Sequence, residues 1–223
     1  MTMLKTDDPY EFRYELEKLK ELINNTELTR HEKNLLANCF KHIMFYNYIS
    51  ETEIFSYYLQ SIIYDSLNSI ISIIKKTERY YQLNIRSLIE HIARISMNKQ
   101  WTGEPFSDFI RRKDFIYLKK NGDEQVWNFL HQLYSTACLY IHSSPSAKLN
   151  INHTFSQLIK EDTHTAQKKQ VETLQKCLNY VTKILIFYFN SEISTSFMRS
   201  KIELKFLIGD ILFKEYEALN IKK

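Results

Sequence analysis

The sequence predicts an all-α fold, and three observations carry that prediction. Glycine and proline each occur only three times in 223 residues, whereas the turns of sandwiches, barrels and wound sheets use both heavily. Apolar residues recur at helical spacing, most clearly Ile85, Leu88, Ile89, Ile92 and Ile95. Helix-start signals recur at helix-length intervals along the chain. The hydrophobic share of 44% and charged share of 25% are those of an ordinary globular protein. The expected architecture is a single compact helical bundle of roughly seven or eight helices, forming one domain over residues 1–223.

The elements follow in order. Asp8 is an N-cap with Pro9 at the first helical position, which opens a helix to about Asn24. "TRHE" at 29–32 has capping-box spacing, Thr29 bonding forward and Glu32 reaching back, and starts a second helix that runs to about Tyr48. "SETE" at 50–53 repeats the pattern ahead of a long helix to about Lys76. A fourth helix occupies Glu78 to Lys99, and "WTGEPFSD" at 101–108 breaks the chain. A short basic helix, "SDFIRRKDFIYLKK", ends at Asn121-Gly122, and Asp123 caps the next, which continues toward Pro145. Residues 143–164 read as a loop that can move, with one helical turn near Phe155. Two helices close the chain, from about Thr165 to Phe189 and from about Thr195 to Leu219.

Composition excludes whole classes of function. Gly103, Gly122 and Gly209 are isolated, so the chain has neither a phosphate-cradling loop nor a dinucleotide fingerprint. The apolar windows 61–74 and 181–190 fall short of the ~20 uninterrupted apolar residues a membrane span needs, the first being interrupted by Asp65 and Asn68. Cys39, Cys138 and Cys177 are odd in number and far apart, which predicts a reducing, cytoplasmic setting and no structural zinc. No HExxH or Asp-rich cluster occurs, so neither a metal nor another cofactor is expected. The formal charge of +4 is spread along the chain except for groups such as "RRK" at 111–113; it permits nucleic-acid contact without requiring it.

The stretch "RSLIEHIARI" at 86–95 carries the main candidates: Arg86, Glu90 and His91. Arg86 and Glu90 share a helix face and can pair. His91, five residues on from Arg86, lies roughly 140° around the helix from it. Both converge on one target only if the helix is distorted or a second copy supplies the missing partner. His142 is the fourth candidate; it ends the helix opened by Asp123, where a cation suits the negative end of the helix dipole. If two antiparallel helices bring Arg86, Glu90 and His142 together, arginine can hold a phosphate and histidine can move a proton. His131 and His142 sit roughly 16 Å apart along one helix, too far to share a metal.

"IRSLIEHIARI" followed by "LYSTACLYIHSS" at 133–144 resembles the paired helices of HEPN-like proteins, bacterial all-helical families with Arg-x3-Glu on one helix and a Tyr-rich helix ending in His-Ser-Ser. The resemblance covers about residues 80–145. It implies a compact bundle, often a homodimer, in which Arg-x4–6-His motifs from two subunits build one cleft. Many such proteins are metal-independent ribonucleases, used as toxins or in phage defence, that employ the RNA's own 2′-OH as nucleophile. Carried over by position, Arg86 and His91 match that motif; Ser87 departs from the Asn, Asp or His common after the arginine in active members. The family also contains inactive members that only bind partners. The sequence thus points to a ribonuclease or toxin-type effector, with RNA and a protein partner or antitoxin as its partners. The alternatives are a non-catalytic helical interaction module, such as an accessory subunit of a defence or toxin–antitoxin system, and a nucleic-acid binder without catalysis, resting on the mild positive charge and "RRKDFIYLKK".

Overall fold

The computed structural model describes residues 11–50, 56–98, 109–147 and 165–221. Among these residues the fold is all-α, without a strand. Its helices are α1 (Phe12–Asn24), α2 (Arg30–Ile49), α3 (Ser56–Ile74), α4 (Glu78–Ser96), α5 (Arg112–Asn121), α6 (Glu124–Ile141), α7 (Gln167–Tyr188), α8 (Asn190–Ser196) and α9 (Lys201–Ile221), with a 3₁₀ turn at Pro145–Ala147. Among the described residues nine helices stand against the seven or eight expected. The additional one is α8. The chain leaves helical geometry at Phe189 (φ −116°, ψ 29°) without a glycine or proline to announce it. A tertiary contact sits at the break instead: the buried Asn190, first residue of α8, donates its side-chain amide to the Tyr216 carbonyl of α9 at 3.4 Å.

Local chemistry accounts for most boundaries. The Thr29–Glu32 capping box forms as expected, with the Thr29 N–H donating to Glu32 Oε2 at 2.7 Å and the Glu32 N–H to Thr29 Oγ1 at 3.3 Å. Asp123 caps α6 by accepting the Val126 N–H at 3.1 Å. Helix α5 starts later than expected, because Asp114 reaches back to accept the Arg111 N–H at 2.7 Å and fixes the first turn there. The turn between α5 and α6 needs a glycine for space: a Cβ at Gly122 would lie 2.9 Å from Trp127 Nε1. The Asp8–Pro9 cap, the second capping box beyond Ser50, the break at 101–108 and the loop beyond Ala147 lie outside the described residues.

Buried side chains from all nine helices join one apolar cluster. Helix α4 lies between α3 and α6: it meets α3 through Asn84–Ser72 and α6 through Tyr134–Glu90. Beneath them α7 packs on α2, α3 and α4, the Tyr81 hydroxyl donating to the Gln170 carbonyl at 3.1 Å and Gln167 Nε2 to the Ile73 carbonyl at 2.9 Å. A polar chain crosses the otherwise apolar α2–α7 seam. His42 Nδ1 lies 2.8 Å from the Thr182 hydroxyl, which lies 3.0 Å from the Tyr46 hydroxyl; that hydroxyl donates to the Leu178 carbonyl at 2.8 Å. Burial pushes His42 down to about 4, so it stays neutral. The cysteines are free thiols, Cys39 and Cys177 wholly buried, and burial raises the Cys177 pKa to about 12. No helix among the described residues is long and apolar enough to cross a membrane.

Helix α9 is broken at Gly209 (φ 80°, ψ 167°), a conformation that only glycine adopts without strain. A Cβ there meets no atom within 4 Å, so Gly209→Ala isolates the backbone penalty. We expect a loss of about 1–3 kcal/mol in urea unfolding followed by circular dichroism; a loss below about 0.5 kcal/mol, the size of an ordinary surface change, would mean the break is not fixed in the native state.

Candidate functional site

The apolar stripe foreseen on α4 is the buried one: Ile85, Leu88, Ile89 and Ile92 are fully buried and Ile95 nearly so. That stripe leaves Arg86, Ser87, Glu90, His91 and Arg94 on the outer shoulder of α4, each partly exposed. Because α4 is flanked on both sides, this shoulder is shared between two neighbours. Arg86 turns toward α6 and His91 toward α3, as their angular separation requires.

Glu90 is the hub on the α6 side. Its Oε1 lies 2.9 Å from Arg86 Nη2 and accepts the Tyr134 hydroxyl at 2.9 Å. Its Oε2 is 3.5 Å from Arg94 Nη2. Arg86 also lies over the Tyr134 ring, 5.7 Å from its centroid, a distance at which cation and ring attract. Burial disfavours the Arg86 charge, but the Glu90 carboxylate and the Tyr134 hydroxyl together outweigh it and raise the Arg86 pKa. Burial and the same carboxylate push the Tyr134 phenol up to about 12.

Arg94 joins this hub to the α3 side. Its Nη1 is 3.2 Å from His91 Nδ1. A guanidinium can only donate, so Nδ1 is the acceptor and the neutral ring carries its proton on Nε2. Nε2 lies 3.3 Å from Ser87 Oγ and 3.7 Å from Asp65 Oδ2. The Tyr58 ring sits 5.8 Å from the imidazole centroid to centroid and 5.8 Å below the Arg94 guanidinium. Burial drives the Asp65 carboxyl up to about 6; the Ser87 hydroxyl pulls it down and the Glu90 charge pushes it further up. Two buried atoms here, Asp65 Oδ2 and Arg86 Nε, have no hydrogen-bond partner.

Arg86, Glu90 and His91 are thus brought into one network, through Arg94. His142 is not. It is the exposed C-cap of α6, its backbone N–H donating to the Cys138 carbonyl at 3.1 Å. Arg79, not His142, tends that helix end, donating to the Ile141 carbonyl at 3.0 Å. His131 stacks on Phe115 at 4.5 Å, and burial lowers its pKa. Asp65, Arg94 and Tyr134 were not singled out from the sequence as site residues. Asp65 had a signal, being the one carboxylate within an apolar window; Arg94 stands one turn from Glu90 on the same face. No group of three or more potential metal ligands occurs among the described residues.

Chemically the network offers two arginines on a partly exposed face, able to fork onto a phosphate. Beside them stands a histidine whose Nε2 side faces Ser87 and Asp65 and whose Nδ1 accepts from Arg94. Comparison with protein-family models, curated proteins and solved structures finds no match.

Proposed function

We propose that this chain is a metal-independent ribonuclease of the HEPN-like kind, a toxin-type effector acting as a homodimer in defence against phage. The observation that carries the proposal is the convergence of Arg86 and Arg94 on Glu90 beside the His91–Ser87–Asp65 relay. A scissile phosphate competes with Glu90 for both guanidiniums, and the 3.5 Å contact of Arg94 with Glu90 is the weaker to give up. Arg94 turning to the phosphate gives up its hydrogen bond to His91 Nδ1, and Nδ1 takes the proton of the RNA 2′-OH. The 2′-oxygen bonds to phosphorus, the bond to the 5′-oxygen breaks, and that oxygen takes a proton from solvent. The arginines stabilise the charge that builds on the phosphoryl oxygens. Ser87 and Asp65 keep the ring oriented with Nε2 protonated.

The test is cleavage of labelled total RNA in EDTA by the wild type and single variants. His91→Ala and Arg94→Ala are expected to lose cleavage by roughly 10²–10⁴-fold, Arg86→Ala by a similar factor, and His142→Ala to retain it. Absence of cleavage by the wild type over a range of RNA and protein concentrations would overturn the proposal.

A specific observation favours a second function, the non-catalytic interaction module. Tyr57, Tyr64 and Ile71 recur at every seventh position on the outer face of α3 and are 47%, 68% and 52% exposed, a stripe that a partner helix can cover. Recovery of one stoichiometric protein partner, together with no RNA turnover, is the outcome that function requires.

A further inference from the structure

The Gly209 break opens a cavity of about 400 Å³ between α2, α7 and α9, within the ~300–1,000 Å³ typical of small-ligand sites. Leu207, Ile208 and Leu212 give it an apolar wall, and all three are largely buried. Asn38, Gln175 and Asn179 contribute amides to the lining. The charges are unequal in status. Lys183 is matched by Asp123 at 3.0 Å and Glu215 at 3.7 Å, and Asp210 is matched by Lys205 at 2.8 Å. Lys41 has no carboxylate partner among the described residues. Its ammonium instead lies 4.3 Å from the centre of the Phe206 ring. Burial, with the nearby Lys20 and Arg13, lowers its pKa, as expected of a partly desolvated cation with no carboxylate beside it.

We propose that this cavity binds a small monocarboxylate with an apolar or aromatic body, its carboxylate on Lys41 and its body against Leu207, Ile208 and Leu212. One uncompensated cation matches one negative charge. A dianion such as a nucleotide phosphate is disfavoured, because Asp210 and Glu215 also line the cavity and like charges repel. The site shares no residue with the network on α4, so its fate is separate from that of the ribonuclease proposal.

The experiment is isothermal titration of the full chain with benzoate and with octanoate. Benzyl alcohol and 1-octanol serve as neutral counterparts, and AMP as a dianion. Saturable binding of at least one carboxylate is expected, with its alcohol and AMP weaker by roughly ten- to a hundredfold, the span of one charge-assisted hydrogen bond. Lys41→Met should lower carboxylate affinity to that of the alcohol, while Lys41→Arg retains most of it. Ile211→Glu, at a rim position 77% exposed, adds a negative charge at the mouth without touching the core. It should weaken the carboxylate about tenfold even if Lys41→Met fails to fold. No saturable binding of either carboxylate, equal binding by both Lys41→Met and Ile211→Glu, or tighter binding of AMP would each overturn the proposal.

Discussion

Replacing Glu90 by alanine should lower the Tm by about 5–10 °C, from a loss of about 2–3 kcal/mol in a chain of this size. The magnitude follows from what Glu90 touches. Its two oxygens serve Arg86, Arg94 and the Tyr134 hydroxyl together, and it is only 16% exposed. An exposed pair on a helix is worth a few tenths of a kcal/mol. Here alanine leaves two guanidiniums side by side with no anion between them, and it strands the Tyr134 hydroxyl. The full penalty of a deeply buried pair, about 3–5 kcal/mol, is not reached because Arg86 is 26% exposed and retains water. Two further variants separate charge from packing. Glu90→Gln keeps an acceptor for Tyr134 and should lose about half as much. Glu90→Leu combined with Arg86→Met removes the pair altogether and should recover most of the stability. Thermal unfolding followed by circular dichroism reads all three; a Tm change under about 1 °C for Glu90→Ala would reduce the hub to an ordinary surface pair.

Asp65→Asn should separate stability from activity. Burial holds the Asp65 carboxyl near 6, whereas an unfolded aspartate titrates at about 3.9. Between those values the folded protein binds more protons than the unfolded chain, so its stability falls as pH rises through that window. Above pH 6 the buried charge is a standing cost. Asparagine removes it, so the variant should be more stable than wild type at pH 7.5 by about 1–2 kcal/mol, allowing for the solvent that reaches this face. It should also show a flatter stability profile between pH 4 and 6. The ribonuclease activity proposed above should fall by roughly 10²–10⁴-fold in it, because an amide no longer holds the His91 proton on Nε2 through Ser87. A variant that gains stability and loses turnover is the mark of a residue kept for chemistry. Equal or lower stability at pH 7.5, or unchanged cleavage, would remove Asp65 from that role.

Local rules wrote most of the helices and little of the site. The Thr29–Glu32 box, the Asp123 cap and the isoleucine stripe of α4 involve residues within one or two turns of each other, and each was legible in the sequence. The α7–α8 break was not, because the partner that meets it, the Tyr216 carbonyl under Asn190, comes from α9, 26 residues on. The late start of α5 rests on Asp114, whose reach back to Arg111 competes with the Ser107–Asp108 signal. In the site, the Arg86–Glu90 pair is an i, i+4 contact and was readable. Asp65, 26 positions before His91 in the chain, meets it only because the α3–α4 turn folds one helix back on the other. Tyr134 reaches Glu90 because α6 packs alongside α4, across a separation of 44 residues. His142, conspicuous in the sequence at its helix end, is left in solvent because α4 and α6 cross with Arg79 at that level.

The His42–Thr182–Tyr46 chain has a consequence for how the bundle chooses its alignment. Leucines and isoleucines on α2 and α7 would tolerate a slide of one helical turn, exchanging one apolar neighbour for another. Polar atoms do not. Such a slide would carry Thr182 away from both His42 and Tyr46, and each buried group left unmatched costs about 1–3 kcal/mol. Three atoms therefore act as a vernier on a seam that oil alone would leave ambiguous, and the cavity and the α4 shoulder inherit their positions from it.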